Sequence, residues 1–310
     1  MLYAINRLFV VCCLTLLGLQ AQQVPDRSFC PPPFDPRFPY GDGPIVLVDA
    51  GHSNLHTADG GYFPFASVLR KDGFRVRTVA RSFTRPALDD AALLVVVNAL
   101  HQRNVKNWDP PIHQAVLRRE VIVLVSWVRQ GGSLLLIADH QPFPAAVSDL
   151  ASAFGFEFHN GWAVQSPHWS VDFGFTRADG SLDEHPAVTG SRPSEAAEKV
   201  MTFEGAAFRY PPEATSLLTF RKGFYSFQPK DATNFDEASD PHIAIEGWSQ
   251  GAVREFGKGR VAVFGEAGMF TAQLAGPGGE PFGLNVPEAE DNLKLLLNTV
   301  RWLTNSLPRR

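Results

Sequence analysis

The chain has 310 residues, of which 45% are hydrophobic and 19% charged, with a formal net charge of −4 and three cysteines. That supplies enough apolar material for one large core, or for a core with an elaborated second half. The mild negative charge and the lack of any Lys/Arg block exclude nucleic acid and anionic membrane surfaces as partners.

Met1 to Ala21 carries one early positive charge, Arg7, then the apolar run Leu8 to Leu19, and closes on Leu19-Gln20-Ala21. This predicts a signal peptide over residues 1–21 cut after Ala21, and hence an exported, periplasmic or extracellular protein. The run falls short of the roughly 20 residues a membrane span needs, so the mature chain is expected to hold no transmembrane segment. Cleavage leaves only Cys30, which excludes an internal disulfide. Residues 22–43, with Pro31-Pro32-Pro33, Pro36 and Pro39 around Phe34 and Phe38, read as a proline-rich extended tether.

The chain then changes character. Pro44 to Val48 is an apolar, β-branched run ending at Asp49, and Tyr62 to Lys71 follows with helical spacing, Pro64 in its first turn and Gly73 at its end. Phe74 to Val79 and Leu93 to Val97 read as strands, Val116 to Arg129 as a helix stopped by Gly131-Gly132, and Ser133 to Ala138 as a fourth strand. Strands separated by helical segments imply right-handed crossovers. The expected fold class is α/β: a doubly wound, mostly parallel sheet over residues 44–305. Pro144 to Phe154 predicts a further helix, and residues 155–240 an irregular, loop-rich insertion. Order returns with Ala252 to Phe256, the turn Gly257-Lys258-Gly259, the strand Arg260 to Phe264 and a closing helix over Glu288 to Leu303.

Open parallel sheets bind ligands outside the carboxyl ends of their strands. Four strands deliver polar residues there: Asp49, His52, Asn54 and His56 after the first, Asn98 and His101 after the third, Asp139 and His140 after the fourth, and Glu266 after the late one. Charged residues at such positions are not needed for packing and are costly to bury unpaired. Asp139, His140, Glu266 and His52 are the expected catalytic set, with Asp49, Asn54, Asn98 and His101 as ligand-binding residues. The competing reading makes Asp49 and Asp139 caps of backbone N–H groups, and His101 and His113 structural. His52 and His56, four apart, would converge on a divalent metal such as zinc if their segment were helical, with His140 as third ligand. Without a metal, His140 serves as base and Glu266 as second proton carrier. No GxSxG or GxCxG elbow, phosphate loop or GxGxxG occurs.

The segments Val46-Leu47-Val48-Asp49-Ala50-Gly51-His52, Trp127 to His140, His185-Pro186, Gly257 to Gly265 and the closing helix resemble the class I glutamine amidotransferase-like superfamily, above all its ThuA-like branch. The resemblance implies a flavodoxin-like fold. Amidotransferases present a nucleophilic cysteine where this chain has Ala138-Asp139-His140, so glutaminase chemistry does not carry over. The ThuA-like branch tends towards histidine in that turn and is associated with sugar metabolism, which supports His140. Three functional classes follow. The first is an exported carbohydrate-active or metal-dependent hydrolase with a small-molecule or glycan ligand, in which Trp162, Trp169, Phe173 and Tyr225 stack on sugar rings. The second is a non-catalytic binding protein on the same fold, and the third an assembly partner docked through Pro31 to Pro39.

Overall fold

The computed structural model describes residues 23–307 except 169, 231–235 and 237–238. The signal peptide expected over residues 1–21 and Trp169 lie outside the described residues. No helix among those described is long and apolar enough to cross a membrane.

In chain order the first elements are β1 (Val24–Pro25), β2 (Ile45–Asp49), α1 (Phe63–Lys71), β3 (Arg75–Val79), α2 (Arg85–Leu88), β4 (Ala91–Val97), α3 (Arg118–Arg129) and β5 (Ser133–Ile137). Then come α4 (Phe143–Ala146), α5 (Ser148–Ala153), β6 (Glu157–Phe158), β7 (Trp162–Gln165), β8 (Phe173–Thr176), α6 (Pro186–Thr189), β9 (Lys199–Thr202), β10 (Phe208–Arg209), β11 (Thr215–Thr219) and β12 (Phe224–Phe227). The chain ends with β13 (His242–Ala244), β14 (Ser249–Phe256), β15 (Gly259–Phe264), β16 (Ala272–Ala275), β17 (Glu280–Gly283) and α7 (Asn292–Leu303).

The main sheet runs β3-β2-β4-β5-β15-β14-β10-β6, with β11 paired to β14. Its first five strands are parallel. Counted along the chain they stand in the order 2-1-3-4-5, which is the flavodoxin-like winding. Apolar runs make this arrangement possible because alternate side chains feed two cores: Val46, Val48, Leu135 and Ile137 pack with α1 and α7, while Leu47, Leu134 and Leu136 pack with α3 and α5. Beyond β15 the sheet turns antiparallel, through a hairpin pairing Phe256 with Gly259.

Three departures from the sequence reading have local causes. The tether is docked rather than free: β1 pairs with β16, Phe38 packs edge-on to Phe74 at 5.4 Å, and Gly73, at φ +93°, leaves no room for a Cβ beside the Phe38 carbonyl. The helix expected over Pro144 to Phe154 breaks at Val147 (φ −117°, ψ 14°), where the Ala146 carbonyl accepts the Ala115 N–H. The closing helix starts at Asn292 because Pro287 opens a short 3₁₀ turn and the Asp291 carboxylate accepts the Glu198 and Lys199 N–H groups. Within residues 155–240, β7 and β12 form a ladder with β13, β8 pairs with β9, and β11 extends the main sheet.

One buried ion pair locks this frame. Arg301 of α7 holds both oxygens of Asp72, at 2.6 and 2.9 Å, and donates to the Asp35 carbonyl. Both side chains are almost wholly buried. Arg301→Ala strands the Asp72 carboxylate, so we expect a loss of about 3–5 kcal/mol, read as a lowered urea midpoint with unchanged m value.

Candidate functional site

The strand ends carry two polar clusters rather than one. The first is built on Asp49, the last residue of β2. Its carboxylate accepts the Gly51 N–H and lies 2.9 Å from His52 Nδ1, while His52 Nε2 lies 3.2 Å from Glu120 of α3. Glu120 also accepts the N–H groups of Leu117 and Phe83. With a carboxylate at each ring nitrogen, His52 is held as a double donor. Burial pulls its pKa down, but the hydrogen bond and charge of Asp49, then Glu120, outweigh burial and raise it. For Glu120, burial is overcome by the Leu117 and Phe83 N–H groups and by His52, which hold the carboxyl low.

This network ties β2 to α3, and its stability has a sign. A raised His52 contributes fully below the unfolded value of 6.5 and less as pH climbs through the folded value. A lowered Glu120 contributes above 4.5 and loses its share as pH falls through the folded value. The stability gap between the wild type and His52→Gln is therefore expected to be widest between 4.5 and 6.5 and to narrow towards alkaline pH. A gap that grows with pH in urea titrations contradicts the imidazolium assignment.

The second cluster gathers at the ends of β4, β5 and β15. Asn98, at φ 44°, accepts the Asp139 N–H through its side chain and stands 3.5 Å from the Asp139 carboxylate. Glu266 accepts the N–H groups of Gly268 and Met269 and is fully buried. His140 donates from Nδ1 to the Gln141 carbonyl at 2.7 Å, which leaves Nε2 as acceptor, 3.5 Å from Glu204 Oε2. Its ring stacks on Trp162 at 3.5 Å and 12°, with Trp108 at 6.2 Å.

Burial governs the protons here. It lowers His140 to about 4, so the imidazole is neutral at pH 7. It raises Glu204, helped by the charges of Asp139 and Asp172, to about 8. Asp139 is pushed up to about 7 by burial, against the His140 N–H, Asn98 and the Ala267 N–H. Glu266 is pushed well above the carboxylate range by burial and then by Asp139, so the two together retain a proton more readily than either alone. Among the described residues, no lysine or arginine appears as an ion-pair partner of these three acids. The Glu204 side chain keeps 35% exposure, which gives its proton a path to solvent.

The expected metal set does not assemble. The segment carrying His52 and His56 is a succession of bends and turns, not a helix, so the spacing of four brings no convergence. Both ring nitrogens of His52 face carboxylates, His56 stacks on Tyr62 at 5.1 Å with Nδ1 packed on Gly61, and His140 Nδ1 is spent on backbone. Among the described residues no group of three His, Cys, Asp or Glu is placed to hold a metal ion. His52 also stands apart from the proposed catalytic set. Asn54 bridges the His52 N–H to the Val97 carbonyl, and His101 caps a short 3₁₀ turn by accepting the Arg103 N–H. Phe173 is core, packed on Phe224 and Phe175.

Sequence reasoning misses Glu204 and Tyr62. Glu204 follows the short strand β9 and precedes a glycine, the same strand-end signature applied within the irregular half. Tyr62 donates to the Ala267 carbonyl, and burial followed by the charges of Glu266 and Asp139 raises its phenol well above its ordinary value. A surface groove of about 770 Å³ lies elsewhere, along Val121, Ile122, Val125 and Ala153. That groove holds no cluster of acids and histidines.

The molecule is thus an α/β protein of flavodoxin-like strand order with a candidate site of clustered acids and aromatic rings at its strand ends. No family model and no curated protein matches the chain. Among solved structures it is similar to the N-terminal domain of mmIFT52, at 16% identity and a TM-score of 0.57 over 84% of this chain and 97% of that one. Looser overlaps include a ThuA-like protein from Bacteroides uniformis (12%, TM-score 0.44, 89% and 95%) and a GMP synthase-type protein from Thermoplasma acidophilum (11%, 0.43, 85% and 94%). At these identities the likeness is one of fold.

Proposed function

We propose that this chain is an exported carbohydrate-active hydrolase of the glutamine amidotransferase-like, ThuA-like kind, working by paired carboxyl groups without a metal. The observation that carries the reading is Glu204: a carboxyl with a proton affinity near neutrality, 3.5 Å from the acceptor nitrogen of a neutral His140 and next to a second titrating acid, Asp139. Of the two, Asp139 has the lower affinity and suits the base, and Glu204 the higher and suits the acid.

In this mechanism protonated Glu204 gives its proton to the leaving oxygen of the glycosidic bond as the bond to the anomeric carbon breaks. Ionised Asp139 takes a proton from the attacking water, whose oxygen bonds to that carbon, so one water is added across the bond. His140 orients the Glu204 proton through Nε2 and its own ring against Trp162. Trp108 would offer an apolar face to a sugar ring, one face of Trp162 being covered by the His140 imidazole.

The test is a glycoside panel assayed by product release, with His140→Ala as control. Turnover by the wild type, abolished in a variant with unchanged circular dichroism, supports the reading. Saturable sugar binding without turnover favours a non-catalytic binding protein. The tethering of Glu266 to two backbone N–H groups and of His140 to the Gln141 carbonyl suits that second reading, since it fixes both as walls.

A further inference from the structure

The three acids sit in a wall that carries unspent hydrogen-bonding capacity. Gln250, fully buried, has no partner for either Nε2 or Oε1. It lies over Gly205, the residue after Glu204: a Cβ there would stand 2.7 Å from Gln250 Nε2 and 3.0 Å from Glu266 Cβ. Gln141, next to His140, donates to the Pro229 carbonyl but leaves Oε1 unpartnered, and Trp162 Nε1 is likewise buried without an acceptor. Buried amide and indole groups left open in this way are expected to meet a ligand or ordered water.

Hydroxyl groups, which both donate and accept, match the open amides and the indole N–H. A neutral sugar alone would leave Asp139, whose affinity lies near 7, either protonated or without a counter-charge once it covered the acids. An ammonium supplies that charge with three donors, and it is attracted by the faces of Trp162 and Trp108 as well. We propose that the ligand of this site is an amino sugar, its ring hydroxyls met by Gln250, Gln141 and Trp162 and its ammonium by Asp139 and Glu204. The inference rests on the carbohydrate reading above and narrows its substrate class. In the free protein the acids balance one another by retaining protons. An arriving cation lowers their proton affinity, so binding releases protons and tightens as pH rises.

The experiment is titration calorimetry of the purified protein with a 6-amino-6-deoxy-glucoside, the parent glucoside and spermidine, in buffers of different ionisation enthalpy. The amino glucoside is expected to bind at least about tenfold more tightly than the parent. Its affinity should increase from about pH 6 to about pH 7.5 with measurable proton release. Glu204→Gln, at a partly exposed position and checked for fold by circular dichroism, should weaken the amino glucoside more than the parent and reduce the protons released. Equal affinity for both glucosides without proton release overturns the amino-sugar inference and leaves the carbohydrate reading standing. Spermidine binding with no glucoside binding, or no binding at all, overturns both.

Discussion

Glu204→Gln is expected to lower kcat/KM on the glycoside by about 10²–10⁴-fold, the range of a lost general acid, while leaving the fold unchanged. Glutamine keeps the shape, and its amide can still donate to His140 Nε2, so the stack on Trp162 stays in place. What disappears is the transferable proton. The wild-type profile of kcat/KM against pH should be a bell with limbs near the affinities of Asp139, about 7, and Glu204, about 8. In the variant the alkaline limb should vanish and the acid limb remain. Full turnover with both limbs intact would assign the acid role elsewhere.

The parallel half of the fold was legible because each central strand is buried on both faces and so reads as an unbroken apolar run, with glycine following α1 and α3. Strand ends were legible for the same reason: Asp139 and Glu266 are acids set directly after such runs. What the pattern does not carry is direction. Asp49 and Asp139 occupy equivalent exits, yet Asp49 is bridged through His52 to Glu120 on α3, whereas Asp139 lies with Glu204 and Glu266. That choice depends on the turns after each strand. Ser53, in the left-handed region, shapes the turn after β2, and Asn98, left-handed after β4, holds the Asp139 N–H from the neighbouring strand, a contact that no local pattern records. Glu204 was hidden for another reason. Its strand β9 is stabilised by pairing with β8, a contact between distant segments that no local periodicity records. The metal expectation failed on backbone shape, since a spacing of four has meaning only on a helix.

Asp139→Asn separates a catalytic carboxylate from a strand-exit anchor, because the two roles predict opposite changes in stability. As base, Asp139 must be ionised, so the variant should lose about 10²–10⁴-fold in kcat/KM together with the acid limb of the profile. The same change removes the charge that raises Glu266 and Glu204. In the wild type, folded-state affinities above the unfolded ones mean that stability is lost as pH rises through them. The variant lacks the Asp139 share of that loss. Its melting temperature relative to the wild type should therefore rise as the buffer moves from the unfolded value of 3.8 to about 7, and hold level above it, even as activity disappears. If Asp139 served only to accept the His140 and Ala267 N–H groups, asparagine would satisfy them less well at every pH, and stability would fall with no dependence on titration. Activity and stability moving apart with pH is the signature of acids kept close for chemistry; their falling together would return Asp139 to the frame.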